Sequence, residues 1–228
     1  MVIVVAGTGT GVGKTFVAAA LARAFGKLGV TCVAVKPVES GGGADAVELD
    51  GASTFHVKHD PPYRFQRPLS PHLAAREADT VIQLDTITSW IAARTSDADV
   101  IVVETAGGLL SPLSPTFCNA DIVRAVAIDA WVLVATDRLG VLHDVRAALL
   151  AAKVYGLAPP QIVLSAPAAP DSATGTNAHE LELLRICTPT CIFSRADSCD
   201  PRTQDAARRL ADALTNAQSF SLNLKRNP

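Results

Sequence analysis

The residues Gly7-Thr8-Gly9-Thr10-Gly11-Val12-Gly13 run directly into Lys14-Thr15. They follow the β-branched stretch Val2-Ile3-Val4-Val5-Ala6 and precede residues 14–27, whose apolar positions fall at helical spacing. Strand, glycine loop and helix in that order are the setting a phosphate-binding loop requires. Glycines let backbone N–H groups converge on phosphate oxygens with no Cβ in the way, and a helix N-terminus favours an anion. Lys14 would neutralise the outer phosphates and the Thr15 hydroxyl would ligate magnesium. In the usual spacing G-x-x-x-x-G-K-T the first glycine falls at position 8, where this chain has Thr8 between Gly7 and Gly9. A glycine-rich turn that merely joins strand to helix is the plainer alternative, and the ending Gly13-Lys14-Thr15 argues against it.

Three further segments bring polar groups to the ends of apolar runs. Residues 31–35 read as a second buried strand, closed by Lys36-Pro37 because proline cannot continue a central ladder. Ligands bind outside the carboxyl ends of parallel strands, so Lys36 should share a site with Lys14, with Ser40 close behind it. Two ammonium groups suit a reaction that builds charge on a transferring phosphoryl group and its acceptor; a solvated lysine at a strand end is the alternative. The run Val100 to Val103 ends in Glu104-Thr105-Ala106-Gly107-Gly108, and Asp45 lies in the loop after Lys36. With Thr15, Glu104 and Asp45 make a magnesium set of few protein oxygens completed by substrate phosphates.

These groups need a scaffold with many strand ends on one edge. Strands are expected at 2–6, 31–35, 100–103, 130–135 and 161–164, and helices at 14–27, 84–94, 119–127, 141–154 and 203–215. Their alternation predicts an α/β fold with a mostly parallel sheet flanked by helices and joined by right-handed crossovers. Residues 39–71 read as mostly loop with a short helix near 45–52, long enough to suggest function. Residues 166–176 read as a flexible stretch inside the domain, and residues 210–228 as ending in a frayed tail.

Bulk composition agrees. A chain of 228 residues favours one domain spanning 1–228. Hydrophobic residues make up 49% and aromatics only 5%, so the core must be aliphatic, as in buried parallel sheets. A net charge of -2 without a basic block gives no electrostatic reason to expect nucleic acid or an anionic membrane. The start lacks the pattern of a secretion signal and no run reaches membrane-spanning length, so a cytoplasmic location is expected. The five cysteines form no Cys-x-x-Cys pair and read as buried thiols. His56 and His59 read as a surface pair, and Trp90 and Trp131 as core or dimer-interface residues.

The combination of motifs resembles the dethiobiotin synthetases. The likeness rests on Val12-Gly13-Lys14-Thr15, Lys36-Pro37-Val38-Glu39-Ser40, Ser70-Pro71-His72, Val103 to Gly108, Pro112-Leu113-Ser114 with Ala120-Asp121, and Leu139-Gly140, in family order over about the first two thirds of the chain. It implies a P-loop NTPase type of fold, and a homodimer that converts 7,8-diaminononanoate, CO2 and ATP into dethiobiotin, ADP and phosphate. It also implies roles. Lys36, Lys14 and Thr10 would be catalytic. Ser40 would contact substrate, as would Gly140 and Val141, which open a helix that reaches the partner subunit's site. Nucleotide would lie against Gly9, Thr10, Gly11, Val12, Gly13, Lys14, Thr15 and Phe16, with Asp45, Glu104, Gly107, Ser165 and Ser194. Mg2+ would be held by Thr15, Asp45 and Glu104.

Two positions depart from the family pattern. Thr105 stands where familiar members have glycine, which requires its φ to stay negative. Ser165-Ala166 stands where some members read adenine with Asn-Asp, which leaves open ATP or another nucleoside triphosphate. The rival reading is a partner-regulated ATPase switch of the positioning-ATPase or nitrogenase iron protein type. Those relatives usually carry a signature lysine early in the glycine loop, where this chain has Thr8-Gly9-Thr10. A nucleotide-binding homologue without activity is a third.

Overall fold

The computed structural model describes residues 1–56, 60–194, 196 and 200–216. His59, Arg195, Cys199 and residues 217–228 lie outside them, and with them the second member of the histidine pair and the expected tail.

Six strands form one sheet: β1 (Val2–Gly7), β2 (Cys32–Val35), β5 (Val100–Glu104), β6 (Ala130–Thr136), β7 (Gln161–Ser165) and β8 (Cys191–Phe193). Their order is β2-β5-β1-β6-β7-β8, and every neighbouring pair is parallel. The side chains of β1 alternate between two cores, as the pleat dictates. Val2, Val4 and Ala6 pack with Ile87, Ile91, Ile122 and Trp131 on one face. Ile3 and Val5 meet α1 (Lys14–Lys27) and α8 (Pro201–Asn216) on the other, through Val17, Leu21, Phe25, Leu210 and Leu214. With both faces covered the strands read as continuous apolar runs rather than as alternating ones.

A second, two-stranded parallel sheet pairs β3 (Val38–Ser40) with β4 (Tyr63–Phe65). The segment expected to be mostly loop thus carries these two strands besides the short helix expected in it, α2 (Ala44–Ala52), and it leads into α3 (Pro71–Glu77). Strands of three residues are too short to show a period, which is why the sequence reads as irregular there. The helices α4 (Leu84–Ala92), α5 (Asn119–Ala125) and α6 (Val141–Val154) fall where expected; α7 (Asn177–Leu183) and β8 were not anticipated.

Trp131 is core, its indole N–H donating to Ala158 O at 2.7 Å. Trp90 is half-buried beneath the Arg94 guanidinium. Cys32, Cys118 and Cys191 are buried free thiols, and burial pushes Cys32 and Cys191 up to about 12. No helix among the described residues is long and apolar enough to cross a membrane.

Candidate active site

Because all six strands run the same way, their carboxyl ends open on one edge of the sheet. There lies a cleft of about 900 Å3 to which every strand contributes: the glycine loop after β1, Lys36 after β2, Glu104 from β5, Thr136 from β6, Ser165 from β7 and Ser194 after β8. Thirteen of the residues singled out from sequence line it together with Thr136: Thr10, Gly11, Val12, Gly13, Lys14, Thr15, Phe16, Lys36, Ser40, Asp45, Glu104, Gly107 and Ser165; Ser194 is a fourteenth. Gly9 contributes through its carbonyl, which accepts from Lys14 Nζ at 2.9 Å and closes the loop on itself.

The charged groups form a chain across the cleft floor. Thr15 Oγ1 donates to Glu104 Oε1 at 3.1 Å, Lys36 Nζ donates to the same oxygen at 2.8 Å, and Lys36 also pairs with Asp45 Oδ2. The three residues assigned to magnesium thus converge around Lys36. Burial pushes the Lys14 ammonium down to about 8, with a further push from Lys36 and against the pull of Glu104. Burial acts the same way on Lys36, but Glu104 and Asp45 outweigh it and its pKa is raised. Burial also raises the Glu104 carboxyl, opposed by Lys36. Lys36 therefore keeps its charge at neutral pH while Lys14 is poised near titration.

Ser40 Oγ, Glu104 Oε2 and Ser194 Oγ are buried oxygens at the cleft without a hydrogen-bond partner. Buried polar atoms are nearly always satisfied, so such a cluster marks where a bound group completes the bonding. The unpartnered Glu104 oxygen, the Asp45 carboxylate and the Thr15 hydroxyl are hard oxygen donors. Three or more His, Cys, Asp or Glu side chains do not gather into a metal cage among the described residues. Magnesium needs no such cage, since it retains waters and takes phosphate oxygens as ligands. The donor set fits it.

Gly13, at φ 93°, begins α1, and a Cβ there would lie 2.5 Å from Ser165 Oγ. The Ser165 hydroxyl thus abuts the glycine loop. Thr105 is buried and donates its N–H to Val5 O at 3.0 Å. It is not among the non-glycine residues with positive φ, Asp79 and Arg185, so the departure from glycine costs no strain. Ser70 and Pro71 line the cleft, whereas His72 places Nδ1 2.8 Å from Ser70 Oγ and braces that loop.

Gly140 and Val141 are not brought to this cleft. The Val141 side chain is fully buried among Ala135, Val145, Leu164 and Leu181, and its N–H donates to Arg138 O at 3.1 Å. The sequence marks them correctly as a helix start, with Gly140 at φ 95°, but a helix start carries no information about its distance from a site. Sequence reasoning missed Glu39, Asn119 and Thr136. Glu39 stood only as one letter of a motif with no role given to it, and Thr136 carried a signal as the polar residue closing the run 130–135.

Fold and site together define a P-loop nucleotide-binding protein, and a model of the AAA domain family matches residues 1–195. The chain is 38% identical over 163 residues to the ATP-dependent dethiobiotin synthetase BioD of Xanthomonas oryzae pv. oryzae, covering 67% of this chain and 72% of the relative. It is also 38% identical over 187 residues to BioD of Corynebacterium glutamicum, covering 78% and 80%. The chain belongs to the dethiobiotin synthetase family. Among solved structures it resembles the cell division ATPase MinD of Pyrococcus furiosus, with a TM-score of 0.62 at 16% identity over 94% of this chain and 98% of that one. A ParA family ATPase of Chlorobium tepidum superposes with a TM-score of 0.53 at 15% identity, over 96% and 97%. Identities that low speak for a shared fold alone.

Proposed function

We propose that this chain, as a single domain spanning 1–228, closes a cyclic urea: with Mg2+ and a nucleoside triphosphate it converts 7,8-diaminononanoate and CO2 into dethiobiotin, the nucleoside diphosphate and phosphate. The observation that carries this reading is Lys36, a buried lysine fixed by Glu104 and Asp45 on the floor of the same cleft as Lys14 and Thr15. In the rival nucleotide switches the additional lysine sits early in the glycine loop, where this chain has Thr8-Gly9-Thr10; here the second ammonium stands at the end of β2, on the side where the acceptor of an acyl-phosphate chemistry would lie.

In this reading one substrate amine adds to CO2, losing a proton to give a carbamate. A carbamate oxygen attacks the γ-phosphorus and the nucleoside diphosphate leaves. The second amine then attacks the carbamoyl carbon, expelling phosphate and a proton as the ring closes. Lys14 and the loop N–H groups of Gly11 to Lys14 hold the β- and γ-phosphate oxygens. Lys36 neutralises the carbamate and the charge growing on the transferring group, with its own charge secured by Glu104. Thr10 faces the phosphates beside Lys14, and Ser40 Oγ offers an unused hydrogen bond to substrate. Magnesium, held by Thr15, Asp45 and Glu104, would offset phosphate charge. Burial of the cleft floor strengthens each of these interactions and keeps their geometry fixed before reaction. The proposal includes a cytoplasmic homodimer with no nucleic-acid or membrane partner, in which Gly140 and Val141 serve the other subunit's substrate.

The test is phosphate release with Mg2+ and bicarbonate, with and without 7,8-diaminononanoate, for ATP, CTP and GTP, comparing the parent with Lys36→Ala. Release that needs the diamine and collapses in Lys36→Ala is expected. Diamine-independent hydrolysis untouched by Lys36→Ala would overturn the reading in favour of a nucleotide switch.

A further inference from the structure

We propose that Glu39 is a positioning residue for the Lys36–Asp45 pair, acting as the N-terminal cap of α2 from outside the helix. The inference rests on the magnesium-nucleotide part of the reading above and deepens it.

Helix α2 begins abnormally. It is preceded by Gly41, Gly42 and Gly43, all at positive φ (103°, 95° and 96°), and the N-cap residue Gly43 has no side chain to receive the free N–H groups of the first turn. Glu39 supplies that acceptor. Its Oε1 accepts from Asp45 N at 2.9 Å and from Ala46 N at 3.4 Å. The carboxyl comes from β3, three residues beyond Lys36, and is 2% exposed. The residue whose backbone it grips is the one whose carboxylate pairs with Lys36. The Asp45 side chain is itself 41% exposed, so packing does little to fix it, and its reach is set by where its backbone is held.

Both ends of the Lys36–Asp45 pair are thereby tied together within ten residues. Gly41 and Gly42 donate to Phe65 O at 2.9 and 3.3 Å, fastening the middle of the same segment to β4. A Cβ at position 43 would sit 3.4 Å from Arg64 Nε in a left-handed conformation, so an ordinary Ser or Asp cap there is disfavoured. A remote cap is a costly substitute, because Glu39 Oε2 is buried with no hydrogen-bond partner. That cost falls beside the lysine and carboxylates of the cleft, where it returns a fixed Asp45.

The experiment measures Mn2+ binding by water-proton relaxation to the full chain loaded with a non-hydrolysable ATP analogue. The variants are Glu39→Ala, Glu39→Met, Glu39→Gln, Asp45→Ala and Glu39→Met/Asp45→Ala, each with its melting temperature. Loss of the acceptor in Glu39→Ala and Glu39→Met is expected to weaken Mn2+ by about tenfold, as outer-shell changes commonly do. Glu39→Gln keeps Oε1 and should stay within about twofold of the parent, since the same two N–H groups remain accepted. In the Asp45→Ala background Glu39→Met should add nothing, because both changes act through one contact. Glu39→Met keeps the volume and buries no polar group, so it remains informative if Glu39→Ala does not fold. Unchanged Mn2+ affinity in the Met variant, or an effect additive with Asp45→Ala, would overturn the proposal. No diamine or turnover enters this measurement, so a parent that binds Mn2+ and nucleotide but fails the diamine test refutes the synthetase reading alone.

Discussion

Ser165 Oγ stands against Gly13 where a Cβ on that glycine would be, at 2.5 Å, with Ser165 Cβ at 3.2 Å. Position 13 is therefore closed to side chains twice, by this contact and by φ 93°. Gly13→Ala is expected to cost about 1–2 kcal/mol of stability from the left-handed conformation alone and to weaken nucleotide binding by at least about tenfold, since the loop N–H groups must be redirected. Ser165→Ala removes the oxygen but not the dihedral, so the double variant should recover only part of the loss. Titration calorimetry with ATP and urea unfolding read the two effects. Parent-like affinity in Gly13→Ala would mean the loop adopts another shape when loaded.

Lys14 gives nucleotide binding a pH signature. Burial holds its ammonium near 8 in the free cleft, and triphosphate oxygens beside it must raise that value. Binding at pH 8 to 9 should therefore take up a fraction of a proton, and affinity should decline as pH rises above about 8, where the free lysine is neutral. The sign for stability is opposite: a lysine with a lowered folded pKa destabilises the empty protein as pH falls from 10.5 through 8. Calorimetry in buffers of different ionisation enthalpy counts the protons. Lys14→Arg, always charged, should abolish the uptake, and an uptake that persisted in it would assign the proton elsewhere.

The extent to which the sequence foretold this site follows from length and burial. Val2 to Ala6, Val100 to Val103 and Trp131 to Ala135 are buried on both faces, and their unbroken apolar runs announce central strands. Parallel order then predicts that Lys36 and Glu104 meet Lys14, as they do. β3, β4 and β8 have three residues each, below the length at which any period is visible. Glu39 was legible only as one letter in a motif, because its work depends on the fold bringing β3 under the start of α2. Gly140 shows the converse: local chemistry that reads well and a position that only the folded chain, or its partner, decides.

The pair Lys36 and Glu104 also makes a stability prediction. Removing the lysine in Lys36→Met leaves Glu104, 1% exposed, without its cation. Burial already raises the Glu104 carboxyl, and losing Lys36 raises it further. A carboxyl raised in the folded state contributes stability below its ordinary value of 4.5 and loses it as pH rises. The deficit of Lys36→Met against the parent should thus widen from pH 5 to pH 8, reaching about 3 kcal/mol, the usual cost of breaking a buried pair. Adding Glu104→Gln should narrow it. Urea unfolding across that range decides, and a deficit independent of pH would show that Glu104 is not the group left behind.

Asn119 holds the loop that carries Gly107 and Gly108. It is fully buried, and its Nδ2 donates to Ala106 O at 2.6 Å and Gly108 O at 2.8 Å while Oδ1 has no partner. That loop packs tightly on the phosphate-binding one: a Cβ on Gly108 would fall 3.0 Å from Thr8 O. Asn119→Ala strands Ala106 O and leaves Gly108 O with Ser111 N–H, at 2.9 Å, as its remaining donor; it is expected to cost about 1–3 kcal/mol. Asn119→Asp puts a carboxylate oxygen against both carbonyls, so at neutral pH it should be worse than alanine despite its nearly identical shape. It should improve below pH 5, when protonation restores a donor. Both variants should raise the KM for nucleotide more than they lower kcat, because the loop positions the binding cleft rather than Lys36. Thermal melts at pH 4.5 and 7.5 with steady-state phosphate release test the order. An aspartate variant as stable as the parent at pH 7.5 would mean the amide is not the tie between these loops.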